Sequence, residues 1–241
     1  MNSQDNEIKI KQEKPKIFIF QDNGYVWDLE SLKILREKHR ILGSFLGTTP
    51  QYHSQNEFLV FPVLLMKEEL FLCVSNDWVD LFEWEKNGLI KQFENFEEDE
   101  FQVKRLKTTS SSLIEIKTTN ENKTYSKISK EKIGFFKSKE EKMRAIIFRD
   151  LWQRGYFISS GLKFGGDYLL YPNDPGKFHA SHIVKVVSSE NVLTPKYLIS
   201  SGRLGTSVNK KVIFASVDFS DENNEKNCFP KYLSFNWAGK M

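Results

Sequence analysis

Residues 168–187 read YLLYPNDPGKFHASHIVKVV, and how this stretch divides decides the fold around it. Asp167-Tyr-Leu-Leu-Tyr171 is strand-like, Pro172-Asn-Asp-Pro175 is turn chemistry, and FHASHIVKVV has the β-branched content and period of two of a second strand rather than a helix. Side chains then alternate between faces. His179 falls with Ser181 and Lys185, and also with Ile183 and Val187. His182 falls with Ala180, Val184 and Val186, the apolar set. A helix would bring the two histidines together, whereas a strand sends them to opposite sides. They are two of only four in the chain, and no cysteine or second histidine cluster accompanies them, so a zinc site is disfavoured.

Outward from this stretch, Ser138-Lys-Glu-Glu141 is a capping box opening a helix, with Met143, Ile146, Ile147 and Leu151 as its apolar stripe and Gly155 at its stop. YFIS (156–159), KVIFASVDF (211–219) and YLSFNW (232–237) are further strands. A second helix starts at Thr194 and Pro195, with Gly202 near its end. The order helix, three strands, helix, two strands predicts a mixed α/β domain over 137–241.

The N-terminal part reads as a smaller α+β domain over 1–85. IFIF (17–20) and YVW (25–27) flank a DNG hairpin turn. Asp28 caps a helix to about His39 with Leu29, Leu32 and Leu35 inward, and Gly43 is its stop. FLVFPVLLM (58–66) reads as a buried strand that Pro62 assigns to a sheet edge, and KEELFLCV (67–74) is ambiguous. Residues 86–136 hold the acidic FENFEEDEF and a Thr/Ser/Lys/Asn-rich run. That composition cannot bury a core of its own and predicts a partly disordered linker or insertion.

At 241 residues, 39% hydrophobic and 14% aromatic, the whole chain is not a disordered protein. Cys73 and Cys228 can form neither a disulfide framework nor a four-thiolate zinc site, and point to a reducing compartment. No apolar run approaches the roughly 20 residues of a membrane span, and MNSQDNEIKIKQEK has no signal-peptide core. A soluble intracellular protein is expected. Net charge is +3, but residues 151–217 hold eight Lys or Arg against three Asp or Glu, which permits a phosphate-rich partner.

Two motifs fail on inspection. SGRLGTSVNKK (201–211) lacks the lysine that follows the second glycine of a P-loop, and it follows a helix rather than a strand. GGDYLLYPND has acids, but no acid-x-lysine on the next strand to hold a divalent ion for nuclease chemistry, which counts against a metal-dependent DNA nuclease. What remains is a tyrosine at a strand end, Tyr171, a histidine, His179, and one of Lys210 or Lys211, which alternation places on opposite faces. Tyr168 lies within its strand and reads as a packing residue, and His182 as a mostly buried histidine with its hydrogen bond satisfied. A Tyr, a His and a Lys together suit cleavage of RNA at its own 2′-hydroxyl. A base removes that proton, an acid protonates the departing 5′-oxygen, and a cation stabilises the phosphorane. Histidine, with a pKa of about 6.5, can donate near neutrality. Tyrosine, at about 10, needs a nearby cation to serve as base.

FRDLWQRGYFISSGLKFGGDYLLYPNDPGKFHASHIVKV and SGRLGTSVNKK together resemble the C-terminal catalytic domain of tRNA-splicing endonucleases, over about residues 145–219. The likeness is greatest to the eukaryotic catalytic subunit of that family that cuts the 3′ splice site. ILGSFLG and FPVLLM are similar to that subunit's N-terminal domain, and 86–136 carries no family signal. The resemblance implies Tyr171 as general base, His179 as general acid and Lys210 as transition-state stabiliser, and it selects Lys210 over Lys211. It also implies 2′,3′-cyclic phosphate and 5′-hydroxyl ends made without metal or other cofactor. The implied partners are precursor tRNA, a second catalytic subunit and two structural subunits in a heterotetramer, with YLSFNWAG (232–239) as an edge strand pairing subunits. A nuclear location is implied, or the cytosolic face of an organelle membrane reached through the complex. Family members carry a docking acidic loop on their structural subunits; here DFSDENNEKN (218–227) reads as a solvated loop. The other reading is a non-catalytic scaffold or RNA-positioning subunit of the same assembly, against which the complete Tyr171, His179 and Lys210 set speaks.

Overall fold

A computed structural model describes residues 13–48, 59–84, 125–188, 190, 192–219 and 228–235. Most of the 86–136 segment and the acidic stretch from 220 to 227 lie outside the described residues.

In the N-terminal half, β1 (Lys16–Phe20) and β2 (Asn23–Val26) form the expected hairpin, followed by α1 (Leu29–His39). β3 (Ser44–Thr48), β4 (Leu59–Leu65), α2 (Lys67–Ser75) and β5 (Asp80–Trp84) complete that half. The Asp28 carboxylate accepts from Ser31 N at 2.7 Å and caps α1. The helix stops at Arg40, whose left-handed backbone (φ 55°) closes the last turn, rather than at Gly43. Leu32 and Leu35 are buried as expected, but Leu29 stands in the first turn with 54% of its surface exposed.

Pro62 does not mark an edge. The sheet order is β3-β4-β2-β1-β5-β6, with β4 paired on both sides. β2 pairs only as far as Val63, and the β3–β4 register shifts between Phe45 and Gly47, opposite Pro62. A bulge therefore accommodates the missing N–H inside the sheet. The sixth strand, β6 (Tyr125–Lys127), comes from the end of the polar segment and pairs with β5. Its Tyr125 ring meets Phe18 and Phe82 edge-on, and Ile128 and Ile133 beyond it are buried in the core. Three aromatic rings and two isoleucines hold a stretch whose composition alone would not.

In the C-terminal half, α3 (Lys139–Gln153) is capped by Ser138, whose Oγ accepts from Glu141 N. Then follow β7 (Phe157–Ser160), β8 (Tyr168–Tyr171), β9 (His182–Val186), α4 (Pro195–Ser207), β10 (Lys211–Val217) and β11 (Pro230–Phe235). The sheet order is β11-β10-β9-β8-β7. β9 and β10 are parallel, joined by α4 as crossover, and the other pairs are antiparallel. Thr194 caps α4, but Gly202 is buried within the helix, which runs on to Ser207.

α3 binds the halves together. Met143, Ile147, Phe148 and Leu151 lie in one continuous core with Leu35 and Leu70 on one side and Leu170, Val184 and Ala215 on the other. Truncating any of the fully buried members would cost about 2–5 kcal/mol.

Candidate active site

The register of the C-terminal sheet sets the site. Leu170, His182 and Lys211 are cross-strand partners along one line of β8, β9 and β10. Ser181 N donates to Leu170 O and Lys211 N to Ser181 O, so the ladder continues beyond that line. Tyr171 and Lys210 are the next residues out on their strands, at the same end of the sheet. By alternation Tyr171 shares the face of Leu169, and Lys210 the face of Val212. This is the face that α4 covers: Phe164, Tyr171, Leu204 and Val208 pack on Leu169, Ala180 and Ile183.

Tyr171 is half-buried, with its Oη accepting a long hydrogen bond from Ser159 Oγ (3.4 Å). The Lys210 ammonium donates to Val208 O (3.3 Å) and lies 5.2 Å from the centre of the Phe164 ring, over the same cluster as the tyrosine. His179 is exposed and precedes buried Ala180, which pins the chain beside it to that cluster. The sheet end thus brings Tyr171 and Lys210 onto one face, with His179 on the adjoining turn.

The strand begins at His182, not at Phe178, and that changes the face assignments. Ala180 packs with Leu169 and Ile183 rather than with Val184, because regular strand structure begins only at His182. The face that looked polar is not a solvent face: Lys185 is only 8% exposed, with its ammonium 4.8 Å from the centre of the Tyr197 ring of α4. Burial lowers the Lys185 pKa, and Asp167 opposes that. His182 is half-buried on the other face. Its Nδ1 is 2.8 Å from Ser181 Oγ, and the Tyr156 ring meets it edge-on. Burial and then the Lys211 charge hold the imidazole below its usual pKa. Lys211 is exposed and next to His182 rather than to Tyr171. Tyr168 is a packing residue with a second role: its hydroxyl donates to Glu68 Oε1 at 2.7 Å, across to α2.

The glycine-rich stretches are close approaches of backbone. A Cβ at Gly166 would lie 2.4 Å from Ile183 Cγ2 and 2.9 Å from Val184 O. At Gly205 it would lie 2.7 Å from Lys210 O and 2.9 Å from Val212 Cγ2. Gly205 therefore lets α4 sit directly on the chain that presents Lys210, and Lys210 N returns a bond to Gly205 O (2.8 Å).

One contribution escaped sequence reasoning. Arg36 of α1 reaches across to the turn between Tyr171 and His179 and binds Asp174 through Nη2 (2.7 Å) and Nε (3.3 Å). A helix arginine 138 positions away from its partner leaves no periodic signal.

With a base candidate and a cation on one face and an imidazole on the adjoining turn, the sheet end is equipped for proton transfer around a phosphate. Among the described residues no three His, Cys, Asp or Glu side chains gather as a metal-binding group.

Residues 142–227 match the family model for the tRNA intron endonuclease catalytic C-terminal domain. Residues 15–83 match the TSEN34-like N-terminal domain. Among relatives, the mouse tRNA-splicing endonuclease subunit Sen34 is 50% identical over 74 residues, 31% of this chain and 23% of that protein. The probable tRNA-splicing endonuclease subunit sen34 of Schizosaccharomyces pombe is 24% identical over 95% of this chain and 99% of that protein. The tRNA-splicing endonuclease of Methanopyrus kandleri is 34% identical over 38% of this chain and 52% of that protein. The alignment thus spans about a quarter of the mouse relative's length.

Proposed function

We propose that this chain is a catalytic subunit of a tRNA-splicing endonuclease that cuts precursor tRNA at the 3′ splice site. The observation that carries the reading is the placement of Tyr171 and Lys210 on one face at one end of the C-terminal sheet, with His179 on the adjoining turn. The family match and the Sen34 likeness in both halves support it.

In this reading Tyr171 removes the 2′-hydroxyl proton at the splice site, and the freed oxygen attacks the adjacent phosphorus. The Ser159 hydroxyl, which donates to Tyr171 Oη, stabilises charge on that oxygen. Lys210 stabilises the phosphorane, and His179 gives its proton to the departing 5′-oxygen. One fragment ends in a 2′,3′-cyclic phosphate and the other begins with a 5′-hydroxyl, with no step that requires a metal. The chain works with a second catalytic subunit and two structural subunits, in the nucleus or on the cytosolic face of an organelle membrane. Among the described residues β11 is paired on one side only, and with Leu233 55% exposed it offers an edge for a partner strand.

The test is cleavage of precursor tRNA by the reconstituted enzyme in excess chelator, with the ends analysed. Cyclic-phosphate ends and 3′-site cutting that slows on Tyr171→Phe are expected. Activity lost in chelator and restored by Mg²⁺ would refute the mechanism. Unchanged 3′-site cutting in the Tyr171→Phe enzyme would return the chain to a scaffold role.

A further inference from the structure

We propose that Arg36, on the N-terminal helix, is a positioning residue for the reaction. Its two-pronged pair with Asp174 fixes the turn that carries Tyr171 at one end and His179 at the other. This rests on the reading of those two residues as base and acid.

Asp174 organises the turn. Its carboxylate accepts from Gly176 N (2.7 Å) as well as from Arg36, and its carbonyl accepts from Lys177 N and Phe178 N (3.0 Å each). Asn173 Oδ1 accepts from Asp174 N. Tyr171 lies three residues before this knot and His179 five after it. Pro172, Asn173 and the run from Gly176 to His179 are exposed, so apolar burial does little to hold the segment. A Cβ at Gly176 would stand 3.2 Å from Asp174 Oδ1 and 3.7 Å from Arg36 Nη2, so the turn closes tightly round the ion pair.

The anchoring end is rigid. Leu35, beside Arg36, is fully buried. One turn on, Arg40 Nη2 donates to Trp152 O (2.9 Å) and its guanidinium lies over the Trp152 ring. The Trp152 indole N–H donates to His39 O (2.7 Å). The end of α1 is thereby locked to the end of α3, and Arg36 extends from that lock to the turn. A partly exposed ion pair adds little stability. A guanidinium fork on a carboxylate instead fixes orientation, which lysine cannot reproduce. Misplacing a reacting group by about 1 Å can cost roughly 10²-fold in rate.

The experiment measures single-turnover cleavage at the 3′ splice site by the assembled enzyme carrying Arg36→Ala, Arg36→Lys, Asp174→Asn, or Arg36→Ala with Asp174→Asn. His179→Ala is the control. Asp174→Asn keeps an acceptor for Gly176 N and removes the charge. Each single variant should lower the rate constant ~10–100-fold, with the half-saturating RNA concentration and the unfolding temperature little changed. Arg36→Lys should recover only part of the rate, and the double variant should be no slower than the worse single one. If Arg36→Ala fails to assemble, Arg36→Lys and Asp174→Asn decide by the same readout. Wild-type rates in the tether variants while His179→Ala is inactive would overturn the tether alone, as would losses that multiply in the double variant. Normal cleavage by His179→Ala would overturn the acid assignment, and the tether with it.

Discussion

Tyr168 and Tyr171 are three residues apart on one strand, and alternation turns them to opposite faces. Tyr168 is 1% exposed, packs edge-on against Phe148, and donates to Glu68. Burial and then the Glu68 charge push its pKa well above the usual value, so it stays protonated as a donor. Tyr168→Phe should leave the rate constant unchanged and lower stability by about 1.5–3 kcal/mol, the worth of a hydrogen bond to a charged group. Thermal unfolding measures it, and a slowed chemical step would contradict the assignment. Glu69 is the other informative single residue. It is fully buried and accepts from Leu42 N, Gly43 N and Met66 N. Burial outweighs those bonds and raises its pKa to about 7, from 4.5. A carboxyl with a raised folded-state pKa binds more protons folded than unfolded, so stability falls as pH rises between about 4.5 and 7. The fall should be on the order of 3 kcal/mol, and Glu69→Gln should flatten it. Unfolding curves across that range check this, and an identical fall in the variant would contradict it.

At the scale of elements, α4 and β10 meet through a glycine. Gly205→Ala puts a methyl 2.7 Å from Lys210 O, where backbone must give. Overpacking of this kind costs about 1–3 kcal/mol, and the displaced lysine should slow cleavage as well. A stable Gly205→Ala variant with unchanged rate would show that this contact does not set Lys210. Most elements were legible in the sequence because their signals are local. The Ser138 cap with Met143, Ile147 and Leu151 marked α3, Thr194-Pro195 marked the start of α4, and β-branched runs marked the strands. What the sequence left unread had non-local causes. Pro62 lies inside its sheet because a bulge across the strand pair accommodates it. The polar run ending at 132 contributes β6 because Phe18 and Phe82 wait for Tyr125. Alternation placed His179 within a strand that in fact starts at His182. Its exposure follows from the turn round Asp174, and the arginine that braces that turn comes from another domain.

At the scale of the molecule, the halves are one body around α3. Apolar side chains of α3 contact both sheets' cores, and Arg36–Asp174, Lys67–Glu141 and Tyr168–Glu68 bridge the halves. The chain should therefore unfold in a single cooperative transition by calorimetry, and two separated transitions would contradict a shared core. The same unity ties the N-terminal half to the proposed chemistry, since the turn bearing His179 is braced from α1. The central claim is that the exposed histidine, not the half-buried one three residues on, is the acid. The most direct measurement is single-turnover cleavage at the 3′ splice site by the assembled enzyme carrying His179→Ala or His182→Ala, with cutting at the 5′ site as internal control. His179→Ala should lose ~10²–10⁴-fold in the 3′-site rate constant with the 5′ site still cut, while His182→Ala should cut both sites and unfold at lower temperature. A His179→Ala enzyme that cuts the 3′ site normally, beside a His182→Ala enzyme that cannot, would contradict the account.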